Sequence, residues 1–203
     1  MTIGIPLESD LPALFAHYGT DKRNNGYGHI YHTLLYLRRQ MIDSVLEIGI
    51  GTMSAMHGYA APHYKPGGSL RAWRDYFPKA TILGLNTASE ILFREDRIKT
   101  RLCDSTNEYS VCDALGDSTF DFIIDDGSHN PEHQLATLRH VYPHLRTDGI
   151  YVIEDIPLGS HLAHNPKQIY EIIGHQEFFF VGVGGYCCVI FNRPLSPYPR
   201  FGY

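Results

Sequence analysis

Residues 44–51 read Ser-Val-Leu-Glu-Ile-Gly-Ile-Gly, a short apolar run that ends in two glycines. A run of this length and composition predicts a buried strand that enters a turn. Because glycine allows the backbone to approach a ligand closely, this turn is a candidate binding site, with Glu47 as a hydrogen-bond acceptor for an amine or a hydroxyl. The alternative is that Gly49 and Gly51 only form the turn. The six-residue glycine pattern of NAD-binding proteins is absent, because Met53 and Ser54 follow.

Further apolar runs follow along the chain, and predicted helices separate them. The other strands are predicted over residues 80–85, 98–102, 120–125 and 150–154. Helices are predicted over residues 29–41, 68–76, 107–115, 131–144 and 167–173. The segments 178–182 and 186–192, joined by 183–185, predict an antiparallel hairpin. This alternation predicts an α/β fold, a three-layer, doubly wound and mostly parallel sheet with a C-terminal antiparallel hairpin.

We expect one domain over residues 1–203, because no repeat or shift in composition divides the chain. Residues 1–43 are expected to form an N-terminal lid and helix segment, which opens as a loop. Its helix has one apolar stripe, Ile30, Leu34, Leu37 and Met41, which we expect to be buried. Residues 44–193 are expected to form a cofactor-binding sheet, and residues 194–203 a tail.

The composition is that of an ordinary folded protein. The 203 residues carry 22 acidic and 17 basic side chains, for a net charge of −5, and 43% of them are hydrophobic. This balance excludes intrinsic disorder, and the lack of a basic run argues against a nucleic-acid partner. The longest uncharged apolar run, 178–191, is broken by glycines and is shorter than the ~20 residues of a membrane helix. We therefore expect no membrane partner.

The N-terminal residues show no basic segment followed by an apolar core, so we expect no signal peptide and a cytoplasmic location. The four cysteines are Cys103, Cys112, Cys187 and Cys188. None of them forms a CxxC pair, so we expect free, buried thiols and neither a disulfide framework nor a zinc site.

Acidic residues crowd at the ends of two predicted strands. Asp125 and Asp126, with His129 close behind, follow one strand, and Glu154 and Asp155 end another. The carboxyl ends of parallel strands meet at one edge of the sheet, and like charges placed there repel unless a positive group neutralises them. A divalent cation bound by oxygen atoms satisfies this requirement, and such ligands favour Mg²⁺ or Ca²⁺ over zinc.

Helix capping and zinc binding are two alternative roles for the segment that follows Asp125. Asp126 or Ser128 could cap the helix that starts at Pro131, which would account for part of the cluster. His129 and His133 also fit an H-x-x-E-H zinc pattern, which requires both histidines on one helical face. Because Pro131 places the start of the helix after His129, we reject the zinc pattern.

Several motifs occur together in the order found in one enzyme family. They are Tyr-Gly-Thr-Asp-Lys at 18–22, Val-Leu-Glu-Ile-Gly-Ile-Gly at 45–51, Gly-Gly-Ser-Leu-Arg-Ala-Trp at 67–73, the segment 120–129, and Tyr-Val-Ile-Glu-Asp at 151–155. Over about residues 17–156 the chain resembles class I S-adenosylmethionine-dependent methyltransferases. Within that family it is most similar to the metal-dependent O-methyltransferases that modify sugars on macrolide antibiotics. The resemblance implies a Rossmann-like methyltransferase fold, S-adenosylmethionine as cofactor, and Mg²⁺ or another divalent cation.

The resemblance also implies cofactor contacts on the first strand and the following helix. Glu47, Gly49 and Gly51 would lie along the methionine part of the cofactor, with Ser69 nearby.

Further cofactor contacts are expected at the ends of the next strands. The resemblance implies that Asp104 faces the adenine, with Ser105 beside it. We also count Asp125 among the expected cofactor-binding residues. Asn86 is expected at the ribose, where the family usually has an acidic residue. A neutral amide accepts a weaker hydrogen bond, so this departure predicts weaker cofactor binding.

The metal and the base are expected on the acidic segments. By resemblance, Asp126, Glu154 and Asp155 match the magnesium ligands, and His129 matches the general base. We therefore expect Asp126 and His129 to be catalytic. A hydroxyl is a poor nucleophile until its proton is removed or weakened, which a cation and a histidine with a pKa near neutrality accomplish together.

These expectations combine into a magnesium-dependent O-methyltransferase whose partner is a small-molecule acceptor with a hydroxyl or a vicinal diol, such as a sugar of a glycosylated natural product. A same-fold methyltransferase acting on a catechol-like phenol is one alternative. A non-catalytic cofactor-binding protein, for which Asn86 is the hint, is the other. Tyr18, Asp21 and Lys22 are expected either to cover the substrate or to form a solvated surface. A partner subunit of a homo-oligomer is another expected source of the cover.

Overall fold

The computed structural model describes residues 10–164, 166–174, 176–182 and 186–193. Its strands are β1 (Ser44–Ile48), β2 (Thr81–Asn86), β3 (Arg94–Glu95), β4 (Ile98–Leu102), β5 (Phe120–Asp125), β6 (Leu145–Ile156), β7 (Glu177–Gly182) and β8 (Tyr186–Phe191). Its helices are α1 (Leu11–Tyr18), α2 (Tyr27–Leu35), α3 (Gly68–Tyr76), α4 (Glu108–Leu115), α5 (Pro131–Val141), α6 (His161–His164) and α7 (Lys167–Ile173). Short 3₁₀ helices lie at Asp21–Arg23, Tyr36–Arg38, Ser89–Ile91 and Tyr142–His144.

The strands form one mixed sheet in the order β3-β4-β2-β1-β5-β6-β8-β7. The five strands β4, β2, β1, β5 and β6 run parallel, while β3, β8 and β7 pair antiparallel with their neighbours. The chain leaves β1 to build the sheet first toward β2 and later toward β5. The carboxyl ends of β1 and β5 therefore flank the switch point, where ligands bind in sheets of this kind.

Helices cover both faces of the sheet, so β1 is buried along its whole length. On one face, residues of α1, α2 and α3 pack around Trp73 and Phe122, whose rings meet edge to face 5.5 Å apart. On the other face, residues of α4, α5 and α7 pack against Leu46 and Ile123. This arrangement confirms the predicted α/β class with its doubly wound, mostly parallel sheet.

The N-terminal segment differs from the sequence prediction. Among its described residues, the part before the predicted helix is not all loop, because α1 begins after Asp10, whose side chain accepts a hydrogen bond from the backbone of Ala13. The helix predicted over 29–41 is instead α2 followed by a 3₁₀ turn. This turn rotates the chain, so that Leu37 and Met41 are exposed rather than buried. The core-facing side of α2 carries Tyr27, Tyr31 and Leu35, whose side chains are buried.

At the C-terminal side, β7 and β8 confirm the predicted antiparallel hairpin. Its connection 183–185, the tail 194–203 and residues 1–9 of the N-terminal segment lie outside the described residues. Three of the four free cysteines are buried, but the expectation is wrong for Cys112, which is exposed on α4. Across the described ranges, no helix combines the length and the apolar character that a membrane crossing requires.

The start of α5 settles the capping alternative. Asn130 is the N-cap, and its side-chain oxygen accepts a hydrogen bond of 2.9 Å from the backbone N–H of Glu132. Neither Asp126 nor Ser128 caps this helix. Because the helix begins at Pro131, His129 lies before it, as the rejection of the zinc pattern requires.

We predict that Asn130→Ala lowers the free energy of unfolding by about 1 kcal/mol, because a backbone N–H of α5 loses its acceptor. Ser128→Ala is the matched control on the same exposed turn, and we expect a change below about 0.5 kcal/mol. Urea denaturation of both variants measures the difference. Equal losses would contradict the assignment of the cap.

Candidate active site

The turns after β1 and β5 touch through their backbones. Gly49 has a φ of +83°, and a Cβ atom at this position would lie 1.9 Å from the carbonyl oxygen of Asp126. A side chain would also strain a backbone conformation that favours glycine. Gly51, with a φ of +69°, is less tightly restricted, since its Cβ would lie 2.4 Å from the hydroxyl at the end of the Tyr64 side chain rather than from backbone. The close packing of the two turns therefore requires glycine at position 49, and the positive φ favours glycine at position 51.

Two clefts open at this switch point and share Gly49, Asn86 and Gly127 in their walls. The large cleft has a volume of about 1090 Å³. Its polar wall consists mainly of Asp21, Asn24, Asn25, Asp126, His129 and Asp155. Its apolar wall includes Met56, Tyr59, Ile156 and Leu158. The small cleft, of about 370 Å³, lies between the ends of β1, β2 and β5 and the first turns of α5.

A buried lysine lies under the large cleft. Lys22 is only 2% exposed, and its Nζ atom donates to Asp126 Oδ2 at 2.7 Å and to Glu154 Oε2 at 2.6 Å. Glu47 Oε1 lies 3.8 Å away. Burial by itself lowers the pKa of Lys22, but the surrounding carboxylates, Asp126 and Glu154 first, hold that pKa well above its usual value. Lys22 is therefore a permanent internal cation, neither a lid nor a solvated surface residue.

Glu154 is committed to this buried network. Its side chain is 1% exposed, and besides Lys22 it accepts a short hydrogen bond from the Tyr31 hydroxyl at Oε1. Each carboxylate oxygen of Glu154 therefore has a protein donor. Burial raises the pKa of Glu154 well above its usual range, against the opposing effect of Lys22.

Asp126, His129 and Asp155 converge at the floor of the large cleft. One potential ligand atom from each lies within 4.8 Å of the other two. His129 Nε2 is 3.1 Å from Asp126 Oδ1 and 3.6 Å from Asp155 Oδ2. The hydrogen bond with Asp126 raises the pKa of His129 above its usual value.

The backbone at two of these residues is unusual. His129 has a φ of +56° and Asp155 a φ of +50°. Within the described ranges only Arg97 and Asp148 share this conformation among residues other than glycine. Asp155 also lies where the pairing of β6 with β8 is irregular, between Ile153 and Ile156. Strained backbone of this kind is retained where the surrounding structure enforces a side-chain position, and functional sites are common examples.

Two buried carboxylates on the sheet have an unused oxygen. Glu47 Oε2 accepts a hydrogen bond of 3.0 Å from the indole N–H of Trp73, and Asp125 Oδ1 accepts one of 3.3 Å from the backbone of Gly127. Glu47 Oε1 and Asp125 Oδ2 have no hydrogen-bond partner among the described residues. Burial raises the pKa of each residue to about 7. Ser69, another expected cofactor residue, is buried in the first turn of α3.

The small cleft brings together five of the expected cofactor residues, Gly49, Asn86, Asp104, Ser105 and Asp125. Besides Asp125, which accepts from Gly127, the other three polar residues also have hydrogen-bond partners in the protein. Asn86 Oδ1 accepts a hydrogen bond from the backbone of Ala88, Asp104 Oδ1 accepts two from Thr106, and the Ser105 hydroxyl pairs with that of Thr137. The one acceptor oxygen of Asn86 is therefore shared with the protein.

Three residues have roles in the site that the sequence did not predict: Lys22, Tyr27 and Tyr31. Tyr27 and Tyr31 lie one turn apart on α2 and bond to Asp155 and Glu154, respectively. Lys22 belongs to the 18–22 motif, which was the only sequence signal for it. The excess of carboxylates at the strand ends did predict a positive partner, and Lys22 supplies part of that charge.

A family model described as a methyltransferase domain matches residues 46–156. The chain belongs to this family. The matched segment runs from β1 to the end of β6, so it contains both turns of the switch point. The predicted resemblance to methyltransferases is thereby confirmed.

The relatives found by sequence are named as O-methyltransferases. The 8-demethyl-8-(2-methoxy-alpha-L-rhamnosyl)-tetracenomycin-C 3'-O-methyltransferase of Streptomyces olivaceus is 38% identical over 152 residues, 72% of this chain and 37% of the relative. Demethylmacrocin O-methyltransferase of Streptomyces fradiae is 35% identical over 150 residues, 72% of this chain and 36% of the relative. The chain thus spans little more than a third of the length of these relatives.

Among solved structures, the MycE methyltransferase of the mycinamycin biosynthetic pathway, in complex with Mg and SAH, superposes with a TM-score of 0.70 at 25% identity. The match covers 94% of this chain and 58% of that one. The complex of MycE with Mg, SAH and mycinamycin VI gives a TM-score of 0.68 at 24% identity, with 94% and 57% coverage. These likenesses show the Rossmann-like methyltransferase fold.

We predict that Lys22→Met lowers the free energy of unfolding by about 3–5 kcal/mol, because the buried Glu154 and the partly buried Asp126 lose their counter-charge. Lys79→Met is the control, since Lys79 is exposed, and we expect a change below about 0.5 kcal/mol there. Chemical denaturation measures both. A loss as small as that of the control would show that the buried ion pairs contribute little.

The raised pKa of Asp125 predicts how stability depends on pH. Between about pH 4 and 7 the folded protein retains a proton on Asp125 that the unfolded chain has released, so stability falls as pH rises through this window. Asp125→Asn is always neutral and can still accept the hydrogen bond from Gly127. We therefore expect its advantage over the wild type to grow from pH 5 to pH 8 in urea denaturation. Parallel pH profiles for the two proteins would refute the assignment.

Proposed function

We propose that the chain is an S-adenosylmethionine-dependent O-methyltransferase that uses a divalent cation, in the first place Mg²⁺, to methylate a sugar hydroxyl of a glycosylated natural product. The observation that carries this proposal is the convergence of Asp126, His129 and Asp155 beside the junction of the two clefts. Membership in the methyltransferase-domain family and the names of the relatives support it.

The chemistry of the small cleft and its surroundings fits the cofactor. A buried carboxylate oxygen without a partner costs free energy unless a ligand donates to it, and Glu47 Oε1 and Asp125 Oδ2 are two such atoms. Glu47 suits the amino group of the methionine part, and the small cleft suits the adenosine part. Asn86, Asp104 and Ser105 line that cleft. When bound, the cofactor would supply its sulfonium methyl group to the reaction.

The donor set at the floor of the large cleft fits a cation. Asp126 and Asp155 offer the carboxylate oxygens that hard divalent ions prefer, and both residues line the open cleft. When bound, such an ion polarises an acceptor hydroxyl and fixes its orientation. Glu154, which the resemblance implied as a third ligand, has both oxygens engaged by Lys22 and Tyr31.

His129 is the base in this proposal. Its imidazole lines the large cleft beside Asp126 and Asp155, and the unprotonated nitrogen of the neutral ring accepts the proton of the acceptor hydroxyl, while the oxygen takes the methyl group and the cofactor leaves as its neutral thioether. Asp126 orients the imidazole and stabilises the imidazolium that forms. The adjoining clefts hold the two reactants next to each other, which contributes to the rate by proximity.

The large cleft is suited to a glycoside. The side-chain amides of Asn24 and Asn25 offer hydrogen bonds to hydroxyl groups, while Met56, Tyr59 and Leu158 provide apolar surface. The relatives and the structural neighbour with mycinamycin VI favour a sugar over a phenol. We also propose a cytoplasmic location, consistent with four cysteines that form no disulfide.

Calorimetry and a methyl-transfer assay test the function together. We expect S-adenosylhomocysteine to bind, and methyl transfer from S-adenosylmethionine to a panel of rhamnosides and deoxyhexose glycosides to require Mg²⁺. Methylation of catechols alone would replace the sugar with a phenol, and binding of S-adenosylhomocysteine without any transfer would favour a non-catalytic protein. Absence of binding at millimolar concentration would refute the proposal.

We predict that His129→Ala lowers kcat by about 10²–10⁴-fold, the usual contribution of a general base. S-adenosylhomocysteine affinity should stay within a factor of about three, as for a residue on the acceptor side of the junction. His144→Ala is the control, since His144 bonds to the backbone carbonyl of Ser118 and lines neither cleft. An unchanged kcat in the His129 variant would assign the base to another residue.

We predict that Gly49→Ala weakens S-adenosylhomocysteine binding by at least about tenfold, because the new Cβ must displace the backbone of Asp126. Gly182→Ala is the control, since its Cβ would meet nothing within 4 Å and its φ is not positive. Calorimetric titration of both variants, with thermal melts to check folding, measures the effect. Equal affinities in the two variants would contradict a cofactor site at this turn.

A further inference from the structure

Glu154 and Asp155 are adjacent acidic residues that the structure separates into different environments. Asp155 is about one-third exposed and lines the large cleft, whereas Glu154 is buried beneath it. The irregular pairing of β6 at this point allows the chain to direct one carboxylate into the cleft and the other into the core. The hydrogen-bond partners of the two carboxylates decide which of them can bind a cation.

We propose that Tyr27 is a positioning residue that orients Asp155 toward the cation, and that Tyr31 and Lys22 hold Glu154 outside the set of cation ligands. The proposal rests on the cation site of the proposed function. It goes beyond that function because it assigns roles to the two tyrosines and removes Glu154, which the resemblance implied as a ligand, from the metal.

Tyr27 holds Asp155 at two points. Its hydroxyl donates to Asp155 Oδ1 at 2.8 Å and accepts from the backbone N–H of the same residue at 2.9 Å. One phenol thereby fixes both the strained backbone of Asp155 and the rotation of its carboxylate. With Oδ1 occupied, Oδ2 is the oxygen left to face His129, 3.6 Å away, and the point between the cluster residues.

Tyr31 and Lys22 hold Glu154 in a different manner. Tyr31 donates to Oε1 and Lys22 to Oε2, and Gln134 donates to the backbone carbonyl of Glu154 at 2.8 Å. To bind a cation, Glu154 would have to give up a charge-assisted hydrogen bond inside the core. Lys22 takes Asp126 Oδ2 as well, whereas Asp126 Oδ1 pairs with His129 Nε2 at 3.1 Å in the wall of the large cleft, so Oδ1 is the oxygen that a cation in the cleft can reach.

Tyr27 and Tyr31 make a matched pair for a test. They lie on the same face of α2, both are fully buried, and their rings stack 6.0 Å apart. In both cases the change to phenylalanine removes only the hydroxyl. Outer residues that orient metal ligands typically contribute about 10–100-fold to metal affinity. The two variants therefore separate an effect on Asp155 from a general effect of losing a buried hydroxyl.

The test measures Mn²⁺ binding to the wild type, Tyr27→Phe and Tyr31→Phe by the electron paramagnetic resonance signal of the free ion. We expect Tyr27→Phe to weaken Mn²⁺ binding by at least about tenfold, and Tyr31→Phe to change it by less than about threefold. Thermal melts without metal report folding, and a merely structural role would lower the melting temperature of both variants without separating their affinities. S-adenosylhomocysteine affinity should be unchanged in both.

The possible results separate the existence of the cation site from the roles of Tyr27 and Glu154. No Mn²⁺ binding by the wild type overturns the cation site itself. Binding by the wild type with equal affinity in Tyr27→Phe, or with equal losses in the two variants, overturns the present inference only. If Tyr27→Phe does not fold, Asp155→Asn and Glu154→Gln give the same decision, since only the former should abolish Mn²⁺ binding. A comparable loss in Glu154→Gln would return Glu154 to the ligand set.

Discussion

The structure depends on one lysine ammonium group that is buried among carboxylates. Lys22 is almost completely buried and bonds to Asp126 and Glu154, which lie at the carboxyl-terminal ends of two neighbouring parallel strands, just after β5 and near the end of β6. Without this charge the carboxyl ends of β5 and β6 would repel each other inside the protein, where charges are weakly screened. The same bonds fix which oxygen atoms point into the large cleft. The segment before the sheet is therefore part of the site and not only its cover.

The tyrosines of α2 extend this arrangement. Tyr31 packs edge to face against Trp73 and Phe122 in the core while its hydroxyl reaches Glu154. Trp73 in turn donates to Glu47 on β1. Aromatic side chains suit this role because one end packs in the apolar core and the other makes a hydrogen bond. The same aromatic side chains therefore pack α2 and α3 on the sheet and orient carboxylates of the site.

Much of the fold could be predicted from the sequence because the signals are local. The runs that form β1 and β5 and the helix from Pro131 are recognisable from a few consecutive residues, and the strand-end rule then places Asp126 and Asp155 at one edge. Lys22 could not be paired with its partners, since 104 residues separate it from Asp126 and 132 from Glu154.

Neighbouring residues with identical chemistry also escaped the sequence prediction. Glu154 and Asp155 differ in role because of an irregularity in strand pairing that no short pattern encodes. The prediction that the apolar stripe ending in Leu37 and Met41 is buried was wrong for a similar reason. The change from α-helix to a 3₁₀ turn alters which face is buried, and it depends on tertiary packing.

The contact between Gly49 and the carbonyl of Asp126 has a consequence for redesign. The turn proposed to hold the cofactor and the turn that carries the cation and base residues are separated by less than the width of one methyl group. Neither loop can be exchanged for that of another protein unless the glycine and the backbone path opposite it are retained together. The turns after β1 and β5 must therefore be grafted together. A graft of only one of them would not preserve the site.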